Sequence, residues 1–441
     1  MHLSRYLKAY PAKDDPDKFL LFSTLRGSLA RISGATLRGV ESGTAHEAEC
    51  LALARLGMLV ADADAEKEQM RGVLERANSR SRNFKAMVIL NLDCNLDCGY
   101  CYESDFRGEH YMSDRTADLL VQTLLRDRIS QGWEVTVSFY GGEPLLSQDL
   151  IRRISEPLLQ GARRHGVKYG FNLVTNGTLL NRDTALKLVP LGLSGAKFTL
   201  DGPREIHDAE RPYASGAGSF DTILDNLAEI WDIVPVGVGG NFRQENYRDF
   251  PRLLDHLNAR GITGEKLGQI LFTPVTPKSG CSEHTAGCIS SDAPWLVEAM
   301  LYLRRETLAR GFKTSKPSLS ACVVELEDNL AVNCEGELYK CPGLMGWQGL
   351  SVGSLAEGVK QYGKSHCIGN WQKEECLECS YLPLCFGGCR FLTLLQGREM
   401  SEVDCKRSFY DAALEEMLLQ NMAYPPVQGK LSPAPVAPLP A

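Results

Sequence analysis

Three cysteines, Cys94, Cys98 and Cys101, stand in the stretch NLDCNLDCGYCYE with the spacing Cys-x3-Cys-x2-Cys. Thiolates spaced this closely on one loop can hold an iron–sulfur cluster by three of its irons, which leaves the fourth iron open to a substrate or cofactor. A cluster used only to carry electrons is normally closed by four ligands, so the open corner points to chemistry at the metal. A structural zinc loop is the alternative, but zinc takes four ligands and no fourth lies nearby.

A second constellation follows at YGGEP (140–144). Gly141 and Gly142 allow a close backbone approach to a ligand, and Glu143 offers a carboxylate suited to an ammonium group. By itself this segment reads equally as a turn; the cysteine triplet one strand earlier favours function. Near the C-terminus come Cys376-x2-Cys379-x5-Cys385-x3-Cys389 and then Cys405, preceded by Cys322, Gly336 and Cys341. Taken alone, the 376–389 group also fits zinc.

These residues need elements to position them. Between 86 and about 275, β-type runs at 86–92, 135–140, 168–175, 196–200, 233–239 and 268–274 alternate with helical stretches at 115–129, 149–165, 219–232 and 246–260. The rhythm predicts an α/β fold with a parallel sheet and right-handed crossovers. Six units suit a partial (β/α)6 barrel resembling a TIM barrel, with chemistry at the C-terminal ends of its strands. The triplet, YGGEP, TNG (175–177) and LDGP (200–203) all follow such ends. Residues 1–80 read as a winged-helix-like module: a hairpin over 20–33 turning at Arg26-Gly27, a helix over 41–57, a strand at 58–62 and a helix from about 64 to 79. The expected division is 1–80, a barrel over 86–310, a cysteine-rich domain organised by metal over 311–423, and a disordered proline-rich tail over 424–441.

The chain has 441 residues, 44% of them hydrophobic and 23% charged, with a net charge of −7. That balance gives no basic stripe for nucleic acid. The basic clusters Arg163-Arg164-His165 and Arg304-Arg305 read as solvated faces. The absence of a signal-type N-terminus or an apolar span predicts a cytoplasmic protein without membrane contact. In such a compartment fifteen cysteines read as metal ligands rather than disulfides.

With these motifs in place, the chain resembles the radical S-adenosylmethionine (SAM) superfamily. Cys94, Cys98 and Cys101 match its cluster motif, and Tyr100 occupies the aromatic position before the third cysteine. The resemblance implies a [4Fe-4S] cluster whose open iron chelates SAM, and reductive cleavage of SAM to a deoxyadenosyl radical. It extends through FNLVTNGTLL (171–180) and TLDGPREIHDAERPYASGAGSF (199–220). By it, Gly141, Gly142, Glu143, Thr199, Arg211 and Pro274 or its neighbour would contact SAM. Asp201 reads equally as a turn cap, and His207 as structural or functional.

The later cysteines resemble the SPASM extension, which holds two auxiliary [4Fe-4S] clusters. One would use Cys376, Cys379, Cys385 and Cys405, the other Cys322, Cys341 and Cys389. The fourth cysteine usual before the counterpart of Cys322 is missing, so either Cys334 closes that cluster or one iron stays open, free for a substrate thiolate. The N-terminal module resembles the recognition domains of enzymes that modify ribosomally made peptides, which bind a leader as an added strand. The implied function is a peptide maturase that installs a crosslink, foremost a cysteine thioether, of the geopeptide type. Its partners would be a precursor peptide and a flavodoxin- or ferredoxin-type electron donor. Two other readings stand beside it. One is sulfatase-type residue oxidation, disfavoured by Pro342 where those enzymes place an aspartate base. The other is an iron–sulfur electron carrier without catalysis of its own.

Overall fold

The computed structural model describes residues 1–101, 103–277, 284–286 and 293–425. The N-terminal part comprises β1 (His2–Leu3), β2 (Leu7–Ala12), β3 (Asp15–Ser23), β4 (Leu29–Ser33), α1 (Gly34–Ser42), α2 (Glu47–Arg55), β5 (Leu59–Val60), α3 (Ala63–Arg71) and α4 (Val73–Arg80). Strands β2, β3 and β4 form an antiparallel sheet in that order, and β5 pairs with β1. The hairpin turns at Gly27, whose φ of 66° is a conformation glycine takes freely. The helix expected over 41–57 begins later, at Glu47, and a separate helix, α1, precedes it and ends at Gly43, a left-handed cap. The helix expected from about 64 to 79 is broken in two at Gly72.

The central part runs β6 (Asn83–Asn91), α5 (Asp114–Asp127), β7 (Glu134–Gly141), α6 (Gln148–His165), β8 (Tyr169–Thr175), α7 (Arg182–Leu188), β9 (Leu193–Thr199), α8 (Arg204–Glu210), α9 (Phe220–Ile230), β10 (Val236–Phe242), α10 (Pro251–Ala259), β11 (Ile270–Pro277), β12 (His284–Ala286) and α11 (Pro294–Ala309). Strands β6 to β11 are parallel and adjacent in chain order, which is the expected six-unit arrangement. The period-2 alternation of each strand divides its side chains between two faces. Phe139, Phe171 and Phe198 point into the sheet–helix core, with Phe139 and Phe171 edge-to-face at 5.2 Å. Tyr140, Val174, Lys197 and Thr199 take the other face and line a cavity.

The remaining elements are β13 (Asn329–Val332), β14 (Glu337–Tyr339), β15 (Gly353–Ser354), β16 (Gly358–Val359), α12 (Glu374–Leu377), α13 (Leu382–Cys385), α14 (Arg390–Leu395) and α15 (Arg407–Ala423). Strand β13 pairs in parallel with β6, Asn329 to Val332 opposite Lys85 to Val88. The cysteine-rich region is therefore stitched into the barrel sheet, which reaches eleven strands among the described residues. The Arg163–His165 cluster is exposed as expected, but Arg304 is not a solvated residue. It is 7% exposed in the seam between α11 and α15, where Nη1 donates to the Ser315 carbonyl at 2.7 Å. Most of the proline-rich tail lies outside the described residues. No helix among the described residues is long and apolar enough to cross a membrane.

Candidate functional site

The loop that leaves β6 carries Cys94, Cys98 and Cys101, and the backbone of the Gly-Gly-Glu segment clasps it. Gly142 N–H donates to the Asn91 carbonyl at 3.1 Å, and Glu143 N–H to that of Asp93 at 2.8 Å. A Cβ on Gly141 would overlap the Asn91 carbonyl oxygen, and one on Gly142 that of Asp93. The two glycines thus permit a backbone-to-backbone approach, and both also line the cavity. On its other side the loop is bonded to the segment after Arg211. Asp97 N–H meets the Pro212 carbonyl at 2.8 Å, and Ala214 N–H meets that of Asn95 at 3.1 Å.

Glu143 is placed otherwise than expected. Its side chain is fully buried and accepts from Asn176 N–H at 2.8 Å, Leu145 N–H at 3.0 Å and the Thr175 hydroxyl at 2.9 Å. It does not line the cavity. Burial pushes its pKa up to about 7 against the opposing pull of those donors. In this structure it ties the ends of β7 and β8 together beneath the cysteine loop.

Tyr100 is the hub of a buried polar network. Its hydroxyl donates to Asp201 Oδ2 and accepts from Arg211 Nη1 at 2.7 Å and from Asn241 Nδ2 at 3.1 Å. Asn241 N–H donates to Asp201 Oδ1 at 2.6 Å, and Thr273 Oγ1 to Asn241 Oδ1 at 3.0 Å. Asp201 therefore holds Tyr100 and Asn241 through its carboxylate. Behind it, Asp201 N–H donates to His207 Nδ1 at 3.1 Å, which leaves the imidazole proton on Nε2, 3.0 Å from Ser219 Oγ. Burial, and then the charge of Arg211, keep His207 neutral. It acts as a structural brace of the loop that carries Arg211.

These elements enclose a cavity of about 240 Å³. Cys94, Cys98, Cys101, Tyr100, Thr199 and Arg211 line it together, and Thr273 lines it in place of its neighbour Pro274. Lys197, Asn241 and Tyr140 also line it and were missed. Their signal was the inward phase of the strands, which strand assignment alone does not fix. Lys197 lies across β10 at Gly239, where a Cβ would come within 2.7 Å of its Cε.

Cys341, Pro342, Gly343, Cys389 and Phe391 line the same cavity. Cys341 and Cys322 are raised in pKa by burial, with Cys389 close enough to both to raise them further. A second thiol group gathers elsewhere. Burial raises Cys385 to about 12 and Cys376 to about 11, and each also feels Cys379 and Cys405. Cys334 joins neither group. The β13–β14 turn carries it to the end of β6, where its thiol faces the Ile89 carbonyl at 3.5 Å and Glu335 and Glu103 are its charged neighbours. Of the remaining cysteines, Cys50 packs in the N-terminal core and Cys367 against the same apolar cluster as Cys322 and Cys341, whereas Cys281 and Cys288 lie outside the described residues.

All described cysteines are free of disulfides. Burial holds Cys94 and Cys101 up at about 11, which favours the neutral thiol unless a cation compensates the charge. Among the described residues, no three Cys, His, Asp or Glu side chains form a shell for one metal ion. A cluster needs no such shell, because each thiolate binds its own iron, and the donor set fits one.

Comparison with known proteins gives this geometry its class. Residues 88–257 match the model described as "Radical SAM superfamily", so the chain carries a radical SAM domain. Domains of this superfamily bind a [4Fe-4S] cluster and SAM. The chain is 32% identical over 197 residues to Fe-coproporphyrin III synthase of Methanosarcina barkeri, a match spanning 44% of each protein and so less than half of that relative's length. It is 24% identical over 360 residues to the cysteine-type anaerobic sulfatase-maturating enzyme of Clostridium perfringens, covering 73% of this chain and 89% of that one. Among solved structures, anSMEcpe with bound AdoMet shares the fold at a TM-score of 0.60 and 18% identity over 77% of this chain and 99% of the other. Streptococcus suis SuiB bound to precursor peptide SuiA does so at 0.53 and 13% over 92% and 98%. Residues 88–257 thus match the radical SAM superfamily, and the fold of the chain is shared with anSMEcpe and SuiB.

Proposed function

We propose that the chain is a SPASM-type peptide maturase that installs a cysteine thioether in a ribosomally made precursor. The observation that carries this reading is one cavity lined both by Cys94, Cys98 and Cys101 and by Cys341 and Cys389. A residue held there lies beside both thiol groups, and a carrier of electrons needs no such chamber. Cys94, Cys98 and Cys101 would hold the SAM cluster. Cys322, Cys341 and Cys389 would hold an auxiliary cluster left open toward the cavity, because Cys334 is turned to β6; Cys376, Cys379, Cys385 and Cys405 would hold the second. Bound cluster and SAM would supply homolytic chemistry: the hydrogen atom lost by a peptide carbon would pass to the 5′-deoxyadenosyl group of SAM, and the electron released as the cysteine thiol loses its proton and forms the carbon–sulfur bond would pass to an auxiliary cluster.

The protein's own part is to orient and exclude. The Tyr100–Asp201–Arg211–Asn241 network presents fixed donors beside the cysteine loop, with Arg211 suited to a carboxylate. Lys197 and Tyr140 supply polar groups on the sheet floor. Strand β4 is the outer strand of its sheet, so its free edge can take a leader as an added strand. SuiB, whose fold extends over nearly the whole chain, has been captured with its precursor peptide, in line with a peptide partner. A flavodoxin- or ferredoxin-type donor would supply the starting electron.

The sulfatase-type reading draws on the Clostridium relative, but Pro342, on the cavity wall, has no group to take a proton. Co-expression with a short cysteine-bearing peptide encoded beside the gene tests the proposal. The expected mass is two hydrogens lower per crosslink, with the link placed on cysteine sulfur by fragmentation. An unmodified peptide from enzyme that releases 5′-deoxyadenosine in its presence would overturn it.

A further inference from the structure

Behind Cys322 and Cys389 lies a buried charged pair that the reading above leaves unused. Arg390 follows Cys389 directly, and Glu325 ends the turn that Cys322 begins, its N–H bonded to the Cys322 carbonyl at 2.9 Å. The two side chains form an ion pair and are only 1% and 3% exposed. Arg390 Nε donates to the His366 carbonyl at 2.9 Å, and Nη2 to the Cys367 carbonyl at 2.9 Å and to Asn370 Oδ1 at 3.2 Å. Glu325 also accepts from Gly369 N–H at 3.0 Å. Arg390 Nη1, by contrast, is buried and has no hydrogen-bond partner.

A buried guanidinium is costly to keep, and an unmet donor on it adds to that cost. Of its three nitrogens, Nε and Nη2 have partners and Nη1 alone has none. The neighbouring thiols would form the most negative centre in the vicinity once deprotonated around iron. We propose that Arg390 is a positioning residue for the auxiliary cluster at Cys322, Cys341 and Cys389. Its Nη1 donates toward that cluster, and its charge, moderated by Glu325, raises the cluster's reduction potential. The inference rests on the auxiliary-cluster reading above. Cluster potentials follow net charge and hydrogen bonds to sulfur. A cation favours the reduced, more negative form, and an anion opposes it.

The opposite signs give the test. Holoenzyme reconstituted with iron and sulfide is titrated electrochemically and followed by EPR, with iron content measured in parallel. Arg390→Gln is expected to move the midpoint of one cluster to more negative potential, Arg390→Lys to restore part of the shift, and Glu325→Gln to move the same midpoint to more positive potential. The other midpoints stay in place. Unmoved midpoints with iron retained, or shifts of the same sign for Arg390→Gln and Glu325→Gln, overturn the inference. If Arg390→Gln fails to hold iron, the signs of Arg390→Lys and Glu325→Gln relative to wild type decide it. Cys322→Ala separates the two levels: wild-type iron content in that variant overturns the auxiliary cluster itself, whereas lost iron with unmoved midpoints in the charge variants overturns only the role of Arg390.

Discussion

Tyr100 shows how much one hydroxyl can organise. It joins a carboxylate, a guanidinium and an amide that come from three different segments of the chain. Replacing it by Phe leaves Asp201 and Arg211 in place, 3.8 Å apart, but strips each of its best partner. Tyr100→Phe is expected to cost about 1–3 kcal/mol, the range for leaving buried polar groups unmet. The check is a denaturant midpoint, with iron content unchanged because the hydroxyl is no cluster ligand. Residues tied to a motif were legible in advance: Tyr100 through its place before Cys101, and Arg211 through the segment that follows β9. Asn241 was not, because it is one polar residue in an otherwise ordinary strand, and Thr273 was legible only as the neighbour of Pro274. Only the register of β10 and β11 turns them inward, and that register is a tertiary property. Glu143 was legible as important, but its partners Thr175 and Asn176 lie over thirty residues away, so nothing local revealed that its carboxylate is already engaged.

At the scale of elements, the Gly-Gly-Glu segment matters as much to the cysteine loop as to any ligand. A Cβ at Gly142 would meet backbone rather than a side-chain tip, so relief requires the loop itself to shift. Gly142→Ala is expected to lower iron loading and the unfolding temperature together. Gly132→Ala is the control. Gly132 has a φ of 80° but nothing within 4 Å, so that change should cost only about 1 kcal/mol of backbone strain and leave iron untouched. Comparing iron per chain and thermal midpoint for the two variants separates crowding from strain; equal behaviour would remove the clasp argument. The six barrel strands were legible from β-type runs spaced by amphipathic helices. The later N-terminal helix was legible in extent but not in its break at Gly72, whereas α1 was not legible as a helix of its own: Glu41 and Ser42, expected to open the next helix, close this one. The addition of β13 to β6 was not legible, since four residues of strand carry no label of their partner.

Across the whole molecule, the N-terminal module is bolted to the segment that holds the second auxiliary thiol group. Tyr6 packs against Trp371, Leu377, Leu382 and Phe386, and its hydroxyl donates to the Leu377 carbonyl at 3.1 Å. Thr24 Oγ1 donates to the Ser380 carbonyl at 2.6 Å, and Leu20 and Phe22 meet Tyr381, Leu384, Leu414 and Leu418. Cys376 and Cys379 lie at the edges of these two apolar clusters. Tyr6→Ala is therefore expected to cost about 3–5 kcal/mol, the range for removing a large buried side chain. It should raise hydrogen exchange in residues 1–80 and 371–386 at once; exchange rising in the module alone would show that the two do not open as a unit. The pairing of β13 with β6 has another consequence. The strand between Cys322 and Cys341 and the strand that leads into Cys94 belong to one ladder, whose register ties the two cysteine-bearing segments to each other. On the proposed reading, an electron passing between the two clusters would meet the same tunnelling distance whatever peptide occupied the chamber, so cargo could vary without retuning the wiring.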